Sequence, residues 1–161
     1  MGEPSGRSAR FGIAGLLLAA VVVIDQAVKL LVASQIPLGT SVPLIPGVLA
    51  LSHLRNPGIA FSLLRNVPLV IPAVIALTLL FLLFYNGAQW SRRPAVAIAL
   101  ALVSGGAIGN LIDRLRVGAV IDYIDLHVWP VFNLADMAVV TGAALLIVTL
   151  AFRPHPGARS D

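Results

Sequence analysis

Five of the chain's seven acidic residues, Asp25, Asp113, Asp122, Asp125 and Asp136, lie in or beside long apolar runs. Only Glu3 and Asp161 belong to polar tails. A carboxylate within or at the rim of a bilayer costs about 2.5–3.5 kcal/mol on insertion scales, which makes each such residue a functional candidate. Two of them recur in matching phrases, Asn110-Leu111-Ile112-Asp113 and Asn133-Leu134-Ala135-Asp136. Two carboxylates sharing a site cannot both ionise comfortably, so one keeps a proton while the other activates water. Amide hydrolysis uses that division: one group takes the water's proton, and the other protonates the carbonyl oxygen and later the amine.

Asp136 is the firmest member of such a pair, with Asn133 one turn earlier to hydrogen-bond a neighbour. Its partner is either Asp113 or Asp122. Asp113 precedes Arg114 and Arg116, and nearby cations favour a permanently charged, orienting carboxylate. Asp122 sits within Val120-Ile121-Asp122-Tyr123-Ile124, where desolvation raises a carboxyl's pKa and suits it to hold a proton. The residues therefore favour Asp122 with Asp136 and give Asp113 a supporting place. The structural alternative is plain: Asp113 as a helix-terminal ion pair, Asp136 as a helix cap. Asp25, four residues before Lys29, is at least as well explained by packing.

Other chemistries fit less well. Asp122-x-x-Asp125-x-His127 offers metal donors without a supporting His or Glu cluster, so no metal or cofactor is expected. Ser104 and His127 fall on a helix and a loop, too far apart for a serine nucleophile and its base. The absence of cysteine excludes disulfides and thiol catalysis, and the scattered arginines form no nucleic-acid patch. A proton-coupled transporter would place its acids near the midplane within inverted repeats, and no such repeat is visible. A membrane scaffold would leave the cost of five acids unexplained.

The elements that must position these acids are transmembrane. The chain is 58% hydrophobic and 11% charged, with mean hydropathy +0.96, unlike a soluble domain. A span needs roughly 20 helical residues. Four runs meet that in one membrane-embedded domain covering 1–161: about 11–33, 67–85, 94–112 and 133–152. Gly105 and Gly109 are spaced for close helix approach. Residues of about 40–60, rich in turn formers and then β-permissive, predict a small sheet lying on the membrane. Ala60–Leu64 predicts a short interfacial helix. The expected fold is therefore mainly α, with four spans, a small extracytoplasmic sheet and that helix. A signal peptide in place of the first span is disfavoured by the three later spans and a charged exit.

Arginine density sets orientation. The two tails and residues 86–94 hold six arginines, against four in the longer opposite connections, so both termini are expected in the cytoplasm. All five acids then gather at the outer face.

Five phrases together carry a resemblance. They are Asp25-Gln26 with Lys29; Asn56-Pro57-Gly58-Ile59-Ala60-Phe61; Gly105 through Arg114; Val120 through Ile124; and Phe132 through Asp136. In this order and spacing the chain resembles the lipoprotein signal peptidase (signal peptidase II) family. The resemblance implies a bacterial inner-membrane aspartyl endopeptidase, monomeric and without cofactor, set among membrane lipids. Such an enzyme removes the signal peptide from prolipoproteins just before a cysteine carrying diacylglycerol. It implies catalysis by Asp122 and Asp136, a pocket lined or braced by Asn56, Asn110, Asp113, Arg114 and Asn133, support from Asp25, and a β-cradle over the outer β-region. Pro57 stands where that family often has Thr, and the connection from Asp122 to Asp136 is somewhat short.

Overall fold

A computed structural model describes residues 5–57 and 94–151. The expected span at 67–85 and the interfacial helix at 60–64 lie outside these residues. Within them are three helices, α1 (Ser5–Gln35), α2 (Pro94–Val117) and α3 (Leu134–Ala151), and three strands, β1 (Ser41–Ile45), β2 (Leu49–Asn56) and β3 (Val120–Asp125).

Helix α1 buries one narrow stripe: Ala14, Val21, Asp25, Lys29, Val32. Steps of three, four and seven keep these residues on one face of a 3.6-residue helix. Its other faces present Ile13, Leu16, Val23, Ile24, Leu30 and Leu31 to the outside. A water-soluble helix would carry charge there. Here the polarity is reversed, with an ion pair inside and aliphatic side chains outside, as a lipid environment requires. Gly12–Gln35 and Pro94–Val117 are both long and apolar enough to cross a bilayer.

Helix α2 packs between α1 and α3. Glycines set how closely. A Cβ on Gly105 would meet Val21 Cβ at 3.0 Å, and one on Gly109 would meet Asp25 Oδ2 at 2.6 Å, so this pair of glycines admits α1. Gly106, on another face, lies against the backbone carbonyl of Ala135 in α3. The expected close approach is thus present and serves both neighbours.

The sheet has order β1-β2-β3 and is antiparallel throughout. β1 and β2 form a hairpin through Pro46-Gly47-Val48, with Gly47 at φ +74°. β3 pairs with β2 so that Leu54 faces Asp122 and Asn56 faces Val120. The sheet thus extends beyond the expected region of about 40–60 to take in Asp122 and Asp125. Val120-Ile121-Asp122-Tyr123-Ile124 is β-branched and aromatic, and the edge of β2 gives it backbone partners. The third span also runs on from residue 112 to Val117, because the turn that ends it comes only at Gly118 (φ +76°), whose N–H bonds the Arg114 carbonyl. Asp113 and Arg114 are therefore held on a helix.

Candidate active site

Five elements deliver the polar cluster: α1 supplies Asp25, Gln26 and Lys29; β2 supplies Asn56; α2 supplies Asn110, Asp113 and Arg114; β3 supplies Asp122; the start of α3 supplies Asn133 and Asp136. They meet where α2 ends and α3 begins.

The start of α3 shows why the pieces fit. The first N–H groups of a helix lack intrahelical partners. Leu134 N–H donates to the Tyr123 hydroxyl at 3.1 Å and Ala135 N–H to Asp25 Oδ1 at 3.0 Å. Asp136 N–H donates to Asn133 Oδ1 at 2.8 Å, while Asn133 N–H returns to Asp136 Oδ2 at 3.3 Å. That reciprocal pair is a capping box built from Asn and Asp. Asp136 is thus a helix cap as well as a site carboxylate, and α1 and β3 pin the backbone beneath it. Burial pushes Tyr123 up to about 12, so its hydroxyl keeps the proton.

Deepest is an ionic cluster. Lys29 Nζ lies 2.9 Å from Asp25 Oδ2 and 2.8 Å from Asp113 Oδ2, and all three side chains are fully buried. Two carboxylates against one ammonium leave one excess negative charge, met by neutral donors. Ile121 N–H reaches Asp113 Oδ2 at 3.1 Å, and Gln26 Nε2 reaches Asp113 Oδ1 at 3.1 Å and the Gly109 carbonyl at 3.0 Å. Asp113 was expected to lean on Arg114 and Arg116. Arg116 comes only to 3.8 Å, and Arg114 Nη1 donates to the Asn110 carbonyl of its own helix. The dominant partner of Asp113 is Lys29, because the glycines bring α1 close enough for a 2.8 Å pair across the helices.

Asp122 and Asp136 lie above this cluster without a direct cationic partner among the described residues. Asn133 Nδ2 donates to Asp122 Oδ1 at 2.8 Å, and Asn56 Nδ2 donates to Asp122 Oδ2 at 3.0 Å. Asn110 Nδ2 donates to Asp136 Oδ1 at 2.7 Å. Asn133 Nδ2 also reaches Asn110 Oδ1 at 3.2 Å, so two amides join the two acids. Arg114 is within electrostatic reach of Asp136, Asp113 and Asp122. Burial, followed by repulsion from Asp136, pushes Asp122 up to about 6, although Asn56 and Asn133 favour its charged form.

Asp125 belongs to a separate network, bonded to Ser52 at 3.1 Å and to the His127 ring at 2.9 Å. The His127 contacts hold its carboxyl below the usual range. Ser104 is buried with no hydrogen-bond partner among the described residues. From Asp136 an open cleft of about 420 Å³ runs between the loop after β3 and helix α3, lined by Leu126, Trp129, Phe132, Met137, Val140 and Thr141.

Of the residues singled out from sequence, Asp25, Asn56, Asn110, Asp113, Arg114, Asp122, Asn133 and Asp136 all converge here. Lys29 was assigned only a partner within its own helix, and its bonds to Asn110 and Asp113 on α2 were missed. A lysine deep within a mostly apolar run was the available signal, since an ammonium there needs more than one acceptor.

Residues 17–152 match the family model described as signal peptidase (SPase) II. A lipoprotein signal peptidase of Pelotomaculum thermopropionicum is 42% identical over 131 residues, covering 81% of this chain and 86% of the relative. The one from Geobacter metallireducens is 40% identical over 148 residues, covering 87% and 91%. A bacterial membrane enzyme solved in meso at 1.9 Å superposes with a TM-score of 0.82 at 29% identity, covering 89% of this chain and 95% of that one. With its apolar helices, its small antiparallel sheet and these relatives, the chain belongs to the signal peptidase II family of membrane peptidases.

Proposed function

We propose that this chain is an aspartic endopeptidase that removes signal peptides from diacylglyceryl-modified bacterial prolipoproteins, cutting before the lipidated cysteine. The observation that carries this reading is the Asp122–Asp136 pair, tied through Asn110 and Asn133, with Asp122 raised to about 6. A pair in that condition holds one proton up to about pH 6, and the proton belongs to the pair rather than to either acid.

The steps follow from this charge state. The ionised carboxylate takes a proton from a water molecule as its oxygen attacks the scissile carbonyl carbon. The protonated carboxyl donates to the carbonyl oxygen, giving a neutral tetrahedral intermediate. Collapse breaks the C–N bond, and the amine leaves with a proton returned from the pair. Asn56, Asn110 and Asn133 orient the acids, and Arg114 offers its guanidinium to substrate carbonyls. The apolar cleft below Asp136 suits the acyl chains of a substrate arriving sideways through the lipid. In this reading the chain acts as a monomer without a cofactor. It crosses the bacterial inner membrane four times with both termini cytoplasmic, and the site faces the outer leaflet.

The test is cleavage of a diacylglyceryl-modified prolipoprotein by purified protein. Asp122→Asn and Asp136→Asn should each lower turnover by at least about a thousandfold while remaining folded, as loss of an acid–base group does. Full turnover by either variant rejects the pair.

A further inference from the structure

Lys29 sits at the base of the amide chain that ends on Asp136. Its Nζ donates to Asn110 Oδ1 at 2.9 Å, both groups being buried. An ammonium has three hydrogens and no acceptor. It therefore accepts only one orientation of the Asn110 amide, with the oxygen toward Lys29 and the NH2 away. The NH2 then lies 2.7 Å from Asp136 Oδ1. The same Asn110 oxygen receives Asn133 Nδ2 at 3.2 Å, which leaves Asn133 Nδ2 directed also at Asp122 Oδ1. Lys29 and Asn110 thus donate in series from α1 to Asp136, while Asn133 donates both back to Asn110 and onward to Asp122.

We infer that Lys29 is a positioning residue for hydrolysis: through Asn110 it fixes which end of a buried amide faces Asp136. This rests on the two-aspartate reading above. Two features separate it from a packing role. Asp25 and Asp113 take two of the three ammonium hydrogens, and the third goes to the one amide that also donates to Asp136. The ammonium also touches neither Asp122 nor Asp136, so its effect on them passes through a group that can rotate. Without Lys29, only the longer Asn133 bond of 3.2 Å opposes a turn of the Asn110 oxygen toward Asp136. An ionised carboxylate then meets an acceptor in place of a donor.

The experiment compares kcat, KM and thermal unfolding of the purified full chain with those of Lys29→Met, Asn110→Ala and the double variant, using a diacylglyceryl-modified prolipoprotein. Lys29→Met should lower kcat by about 10–100-fold, the worth of one charge-assisted hydrogen bond, with KM changed less than about threefold. Adding Asn110→Ala should cost less than about a further threefold, because the two residues act in series. If Lys29→Met does not fold, Lys29→Met/Asp113→Asn keeps the cluster's excess charge at minus one and is compared with Asp113→Asn. A kcat within about threefold of the appropriate parent overturns the assignment, as do losses that multiply in the double variant. Inactive Asp122→Asn and Asp136→Asn alongside a fully active Lys29→Met would refute the positioning role and leave the acid pair standing. Active Asp variants would refute the pair itself.

Discussion

Asp113 and Asp122 are both nearly inaccessible and both sit where α2 gives way to β3, yet they live in opposite electrostatic conditions. Asp113 has an ammonium at 2.8 Å and a backbone N–H on the same oxygen. Asp122 is hydrogen-bonded by neutral amides, with a second carboxylate nearby and no cation in direct contact among the described residues. Burial alone does not make an acid reactive. What separates them is the cation: one group is neutralised and holds helices together, while the other is left short of positive charge and holds a proton instead.

The contrast breaks most visibly through stability. Asp25→Leu leaves Lys29 with Asp113 and Asn110 but removes the acceptor of Ala135 N–H. Leaving that buried N–H without an acceptor costs about 1–3 kcal/mol, so thermal unfolding in detergent should come earlier. Asp122→Asn should behave oppositely. Its carboxyl is raised from an ordinary 3.8 to about 6, so its stabilising contribution is complete below about 3.8 and lost as pH rises through about 6. At pH 7.5 the Asn variant should unfold no earlier than the parent. An early transition would put Asp122 with the structural acids.

A smaller effect sharpens the comparison through activity. Asp113→Asn keeps an acceptor for Lys29 and should retain turnover, reduced about tenfold. Complete loss, with Asp122→Asn active, would transfer the catalytic role to Asp113. The smallest effect lies in the pH profile. With Asp122 at about 6, kcat/KM should fall as pH rises past that value. Asn56→Ala removes a donor that favours the charged carboxyl, so the falling limb should move to higher pH. A limb that stays in place would show that Asp122 does not govern it.

Much of this site could be read before any coordinates. Asp122 and Asp136 stood out because a carboxylate in apolar sequence is costly, and Asn110 and Asn133 because their phrases echo each other. The helices followed from length and apolarity, apart from the end of α2, where charged residues looked like an exit although Gly118 provides the actual stop. Strand β3 escaped notice because six residues after a helix look alike as strand or connection until β2 offers an edge. The reach of Lys29 to Asn110 joins residues 81 apart, and periodicity along one helix carries no information about such a bond.

Gly106 sits against the Ala135 carbonyl, and seven residues along each helix Gly142 sits against the Ala99 carbonyl, where an added Cβ would come within 2.6 Å. Two main chains touching twice in this way leave no seam for a fatty tail to slip through. The lipidated substrate proposed above would have to reach the aspartates by some other flank. A pair of missing methyl groups thus closes one door of the enzyme, and substituting alanine at either glycine would wedge it ajar.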